Sequence, residues 1–145
     1  MTRIISIDPG KSKCGLVAAD PKDKVIAFAG VIKSSSLLIN LKELISEYQE
    51  YKVIIGNGTT SKEYVKKLSF LGQNLIIADE KNTTLRSKER YFDIFPLKGF
   101  KRFLPKELFL ININLDAIAA LIILEDFCNC KFEFPEGVET KTWQK

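Results

Sequence analysis

Three short apolar runs, each followed by turn-forming residues, occupy the first 32 positions of this 145-residue chain. Arg3 to Asp8 is rich in β-branched residues and closes on Asp8-Pro9-Gly10. Proline fixes φ and glycine frees it, so the pair marks a turn. Cys14 to Ala19 is the second run and Lys24 to Ile32 the third, with the polar Asp20-Pro21-Lys22-Asp23 between them. Three strands joined by such short links predict an antiparallel meander.

The pattern then changes period. Ser34-Ser35-Ser36 offers hydroxyls for a helix N-cap. Leu37, Leu38, Leu41, Leu44, Ile45 and Tyr48 recur at spacings of three and four, which predicts an amphipathic helix from Leu37 to Tyr48. Val53-Ile54-Ile55, within Lys52 to Gly56, is a buried-strand pattern, and Asn57-Gly58-Thr59-Thr60-Ser61 is a turn ending in cap residues. A second helix with Tyr64, Val65, Leu68 and Leu71 on one face stops at Gly72. Asn74 to Ala78 is another buried strand. Strand, helix, strand, helix, strand implies parallel strands added to the meander. Thr83-Thr84 opens a charged helix reaching Phe92, and Leu115 to Phe127 is a strongly apolar helix. Between them, Phe95 to Leu110 holds Pro96, Gly99 and Pro105 and reads as an inserted loop with one short helix. Residues 1–145 are expected to form one domain, with a polar, disordered tail from about Pro135.

Composition narrows the chemistry. The chain contains no histidine, which excludes a Ser-His-Asp triad, a histidine base and a histidine-ligated zinc site. Cys14, Cys128 and Cys130 are too few and too unevenly spaced for a disulfide framework and predict reduced thiols in the cytoplasm. No apolar run is long enough to span a membrane, and the first residues lack the apolar core of a signal peptide. A net charge of +4 permits a polyanionic partner without demonstrating one.

Three acids stand out. Asp8 ends the first strand, where open α/β sheets place ligands, although a turn-forming aspartate is the plainer reading. Glu80 follows a parallel strand at the same end of the sheet, with Asp79 beside it; one of the two must point away. The plainer reading there is a helix-entry acid on the helix dipole. Asp116 opens a helix whose next residues are nearly all apolar, and an N-terminal cap competes with a functional role. Should all three meet, their repulsion raises at least one pKa, and a divalent cation removes the conflict. Oxygen-only ligands without histidine suit Mg²⁺ or Mn²⁺.

Four segments resemble the RuvC/YqgF branch of the ribonuclease H-like superfamily. Ile5-Ser-Ile-Asp-Pro-Gly-Lys-Ser-Lys-Cys-Gly-Leu-Val-Ala-Ala-Asp20 is similar to its opening hairpin. Ile54-Ile-Gly-Asn-Gly-Thr-Thr-Ser-Lys62 resembles the Gly-Asn-Gly-Thr segment of YqgF-like domains. Asp79-Glu-Lys-Asn-Thr-Thr84 is similar to an Asp-Glu-Arg-x-Thr-Thr segment, and Leu115-Asp-Ala-Ile-Ala-Ala-Leu-Ile-Ile-Leu124 to the final helix. The resemblance implies a ribonuclease H-like α/β fold with a mixed five-stranded sheet, three antiparallel strands followed by parallel ones, flanked by helices. It implies Asp8, Glu80 and Asp116 as the catalytic and metal-binding set of a Mg²⁺- or Mn²⁺-dependent nuclease. Holliday junction DNA and ribosomal RNA precursors are the implied substrates. RuvC-type resolvases place the middle acid after the fourth strand, where this chain has Gly56-Asn57-Gly58; YqgF proteins place it after the fifth. The alternative is a non-catalytic nucleic-acid-binding or protein-interaction module on the same fold.

Around the acids, Lys11, Lys13, Arg86, Lys88 and Arg90 are candidate phosphate contacts, competing with simple solvation. Thr59 and Thr60 sit in a turn that suits either a phosphate cradle or a helix cap. Lys98, Lys101 and Arg102 interleave with Phe95, Phe100 and Phe103, a loop suited to nucleic acid, to a hydrophobic lid or to a homodimer surface.

Overall fold

The structure is a computed structural model, and it describes residues 2–110, 113–135 and 141–142. The meander is present as β1 (Thr2–Asp8), β2 (Lys13–Asp20) and β3 (Val25–Lys33), paired antiparallel in sequence. Strand β4 (Glu50–Gly56) adds parallel to β1, and β5 (Leu75–Ala78) adds parallel to β4. The order β5-β4-β1-β2-β3 makes β1 central. The expected five strands are thus in place, and the two-residue β6 (Lys141–Thr142) extends the sheet beside β3. Residues 136–140 and 143–145 of the expected polar tail lie outside the described residues.

Strand alternation sorts the core into two layers. Ile5, Ile7, Leu16 and Ala18 face one side with Leu37 and Leu41 of α1 (Leu37–Ser46) and Tyr64 of α2 (Ser61–Lys67). Ile4, Val17, Ala19 and Ile54 face the other, against Ala120, Leu121 and Leu124 of α4 (Asp116–Cys128). Every residue of α4 from Ala117 to Glu125 is buried, because the sheet covers one flank and α3 (Thr83–Ile94) another. That placement explains a helix apolar on all sides. No helix among the described residues is long and apolar enough to cross a membrane.

Three expectations need correction. Tyr48 is not on the first helix, which ends at Ser46. Its ring lies 4.2 Å from the buried Arg3 guanidinium, and its hydroxyl accepts a 2.6 Å hydrogen bond from Arg3 Nη2. Apolar spacing recorded the ring's burial but not the change of element. The segment Phe95–Leu110 holds two short 3₁₀ helices rather than one, Gly99–Phe103 and Lys106–Phe109. The second helix is also shorter than its apolar pattern, giving way after Lys67 to 3₁₀ turns at Ser69–Asn74. Gly72, at φ +56°, breaks those turns rather than ending the helix.

Candidate active site

The site is built at the carboxyl end of β1. Asp8 is its last residue and pairs with Gly15 of β2. On the other flank, β4 runs beside β1 up to the Ile7–Ile55 pair, and Gly56 comes one residue later. Asp8 therefore lies between two strands that each present a glycine at its level. Both glycines are required by what packs over them. A Cβ on Gly15 would stand 1.8 Å from the Asp116 carbonyl oxygen, so its absence lets the start of α4 descend onto the sheet. A Cβ on Gly56 would stand 1.8 Å from Glu80 Oε1, so its absence makes room for the Glu80 carboxylate.

Of the adjacent acids, Glu80 turns inward and Asp79 outward. Asn57 makes the distinction: its Nδ2 donates to Asp79 Oδ1 at 2.8 Å, and its Oδ1 accepts from the Glu80 backbone N–H at 3.1 Å. The Asn57 N–H also donates to the Ala78 carbonyl at 3.0 Å. Asp79 is exposed, whereas Glu80 is half-buried and its Oε1 is buried with no hydrogen-bond donor. Asp116 is the first residue of α4; its N–H donates to Asn114 Oδ1 at 2.9 Å.

The charges confirm that the acids sense one another. Burial, then the charges of Glu80 and Asp116, push Asp8 from an ordinary carboxyl value up to about 8. Burial raises Glu80 too, opposed by a hydrogen bond with Asp8. Both carboxyls are thus raised, and their repulsion disfavours ionising the two together. Burial also raises Asp116, while Asn114 and the nearby Lys13 favour its ionised form. Behind them, burial and the charges of Asp8 and Asp116 push the Cys14 thiol up to about 12, so it stays protonated.

A hard divalent cation fits this donor set: oxygen ligands only, excess negative charge, and a buried oxygen with no donor. Among the described residues, no group of three or more His, Cys, Asp or Glu side chains is placed as a set that could hold a metal ion. Mg²⁺ keeps several waters and binds through one or two carboxylates plus substrate phosphates.

The basic residues divide. Lys11 in the β1–β2 turn and Lys13 at the start of β2 are exposed, and Lys13 is near enough to influence Asp116. Lys88 is exposed on α3. Arg86 and Arg90 are engaged within the fold, tying α3 to α4. Arg86 grips Asp126 with two hydrogen bonds of 2.7 and 2.6 Å. Arg90 grips Glu125 at 2.9 and 3.0 Å and donates to the Phe132 carbonyl. Both help line a groove of about 520 Å³ that none of the three acids touches. Thr60 is also engaged, its hydroxyl donating to the Pro9 carbonyl at 3.0 Å, while Thr59 is exposed. The Tyr64 hydroxyl donates to the Gly10 carbonyl and lies 2.6 Å from Ser34 Oγ, fixing the same loop from below.

Sequence reasoning missed the roles of Gly15, Asn57 and Asn114. A glycine or asparagine next to an acid at a strand end or helix start is the available signal, since each either admits the acid or holds it.

A mixed sheet of this order, with acids gathered beyond its central strand and a buried helix across one face, defines a ribonuclease H-like α/β protein. A curated protein of Ruminiclostridium cellulolyticum, named "Putative pre-16S rRNA nuclease", is 32% identical over 141 residues, covering 86% of this chain and 92% of that protein. The chain belongs to that family, the YqgF/RuvX type. No family model matches it.

Proposed function

We propose that this chain is a nuclease hydrolysing phosphodiester bonds in structured RNA, a ribosomal RNA precursor being the substrate for which its relative is named. The observation that supports this most is that Glu80 reaches into the sheet end beside Asp8, its buried Oε1 facing no basic side chain or N–H donor, while the charges of Glu80 and Asp116 bear on Asp8. A structural carboxylate would be paired with a basic side chain or several N–H donors; carboxylates packed on one another suit a cation and a phosphate. Asp8 and Glu80 are the proposed ligands of Mg²⁺ or Mn²⁺, with Asp116 contributing charge or a bridging water. A bound pair of such ions supplies an activated water and stabilises the leaving oxygen. Asn57 aims Glu80, Asn114 aims Asp116, and Lys11 and Lys13 hold the approaching phosphates.

The test is cleavage of labelled RNA precursor, four-way DNA junction and plain duplex in Mn²⁺, with Asp8→Asn as control. Metal-dependent cleavage of the precursor that the variant lacks supports the proposal. Precursor binding without cleavage at any metal concentration, with no Mn²⁺-dependent rise in melting temperature, overturns it in favour of a non-catalytic binding module.

A further inference from the structure

The segment between α3 and α4 exposes more apolar surface than a chain at rest in water should. Phe103 is 83% exposed, Phe100 74% and Leu108 56%. Their setting is not neutral. Lys98, Lys101, Arg102 and Lys106 accompany them against the single acid Glu107, all exposed. The two rings lie in one 3₁₀ turn, Gly99–Phe103. With three residues per turn, positions three apart eclipse, so Phe100 and Phe103 share a side about 6 Å apart along the axis. Gly99, at φ +65°, allows the chain to enter that turn.

The segment is anchored at its back. The Lys106 ammonium lies 5.4 Å from the centre of the buried Phe92 ring of α3. Phe95 packs on Tyr91 and Phe134 with centroids 5.1 and 6.3 Å away. The Arg102 guanidinium lies over one face of the Phe103 ring, 5.8 Å from its centre, and leaves the other face to a ligand. Leu108 precedes Asp116, the first residue of α4, by eight residues in sequence.

We infer that residues 98–108 form a platform for a single-stranded stretch of polynucleotide, with Phe100 and Phe103 stacking on unpaired bases and Lys98, Lys101 and Arg102 on the flanking phosphates. The charge selects a polyanion, and paired flat rings select one whose bases are free. A duplex hides its base faces and would use the lysines alone. That the strand then continues toward Asp116 rests on the nuclease reading; the platform itself does not.

The test is fluorescence anisotropy in EDTA, where no cleavage occurs. The probes are an unstructured oligonucleotide of about 12 nucleotides, as RNA and as DNA, and a blunt duplex of equal length. Wild type should prefer the single strand. Phe100→Ala/Phe103→Ala and Phe100→Leu/Phe103→Leu should each weaken single-strand binding at least fivefold, a low value for losing base stacking, and leave duplex binding unchanged. Lys101→Gln/Arg102→Gln should reduce the salt dependence with both probes. Melting temperatures should hold, since the rings are exposed. Equal preference for the RNA and DNA strands would assign recognition to bases and phosphates; tighter RNA binding adds the 2′-hydroxyl. The inference is overturned if the leucine pair binds like wild type, if duplex binding falls in parallel, or if the phenylalanine variants only convert a dimer to a monomer. Cleavage in Mn²⁺ separates the two readings. Ring-dependent binding without cleavage defeats the nuclease and keeps the platform. Cleavage with ring-independent binding does the reverse.

Discussion

At the scale of residues, the site depends on side chains that are missing as much as on those present. Gly56→Ala would put a Cβ 1.8 Å from Glu80 Oε1, and Gly15→Ala would put one 1.8 Å from the Asp116 carbonyl oxygen. The first clash is with the end of a side chain that can swing away; the second is with backbone. Gly56→Ala should therefore abolish metal-dependent cleavage with little loss of stability. Gly15→Ala should abolish it and also destabilise the fold by about 3 kcal/mol, the upper range for overpacking. Urea unfolding beside the cleavage assay distinguishes them. The Asp8 carboxyl gives a pH prediction. Its pKa is raised from 3.8 to about 8 in the folded, metal-free protein, so the folded state binds more protons than the unfolded one between those values. Its contribution is full below about pH 4 and is lost as pH rises through about 8. Melting temperature in chelator should fall from pH 5 to pH 8, and Asp8→Asn should flatten the fall. With saturating Mn²⁺ wild type should gain stability at neutral pH, and the variant should gain little.

At the scale of elements, two arginines one helical turn apart illustrate what charge in a sequence conceals. Arg86 and Asp126 are about 40% exposed, whereas Arg90 and Glu125 are 13% and 9% exposed. Arg86→Ala should cost about 0–1 kcal/mol. Arg90→Ala leaves Glu125 buried with only the Phe132 N–H, and should cost about 3–5 kcal/mol. Chemical denaturation measures both. The meander, the parallel additions and the apolar last helix were legible because β-branched runs, Pro-Gly turns and leucine spacing are local signals. The positions of Asp8, Glu80 and Asp116 at the ends of their elements were legible for the same reason. What Arg86 and Arg90 bind was not, since Asp126 and Glu125 lie 40 and 35 residues away and meet them only once α3 docks on α4. Tyr48 shows the same limit: its partner Arg3 is on β1, 45 residues away. Nor could spacing choose between Asp79 and Glu80, because Asn57 makes that choice across a strand pair.

At the scale of the molecule, a net charge of +4 coexists with a cluster of acids that any phosphate must approach. Attraction has to come from the surrounding lysines, so affinity for nucleic acid should fall steeply with salt, and Lys11→Gln/Lys13→Gln should make the log–log slope shallower by about 2. Titrations between low and physiological salt check it. The sheet order adds a consequence for motion. Asp8 ends the central strand and Asp116 opens a helix buried along nearly its whole length, whereas Glu80 hangs from β5, a four-residue strand at the sheet's edge. Amide hydrogens of Ile5, Ile7 and Ala119 to Leu124 should exchange with solvent only through global unfolding, while those of Ile77 to Glu80 should exchange through cheap local openings. Two of the acids are thus fixtures of the last cooperative unit to open, and the third can fray away from them. A strand that seats itself across all three would slow exchange at Glu80 more than anywhere else in the site.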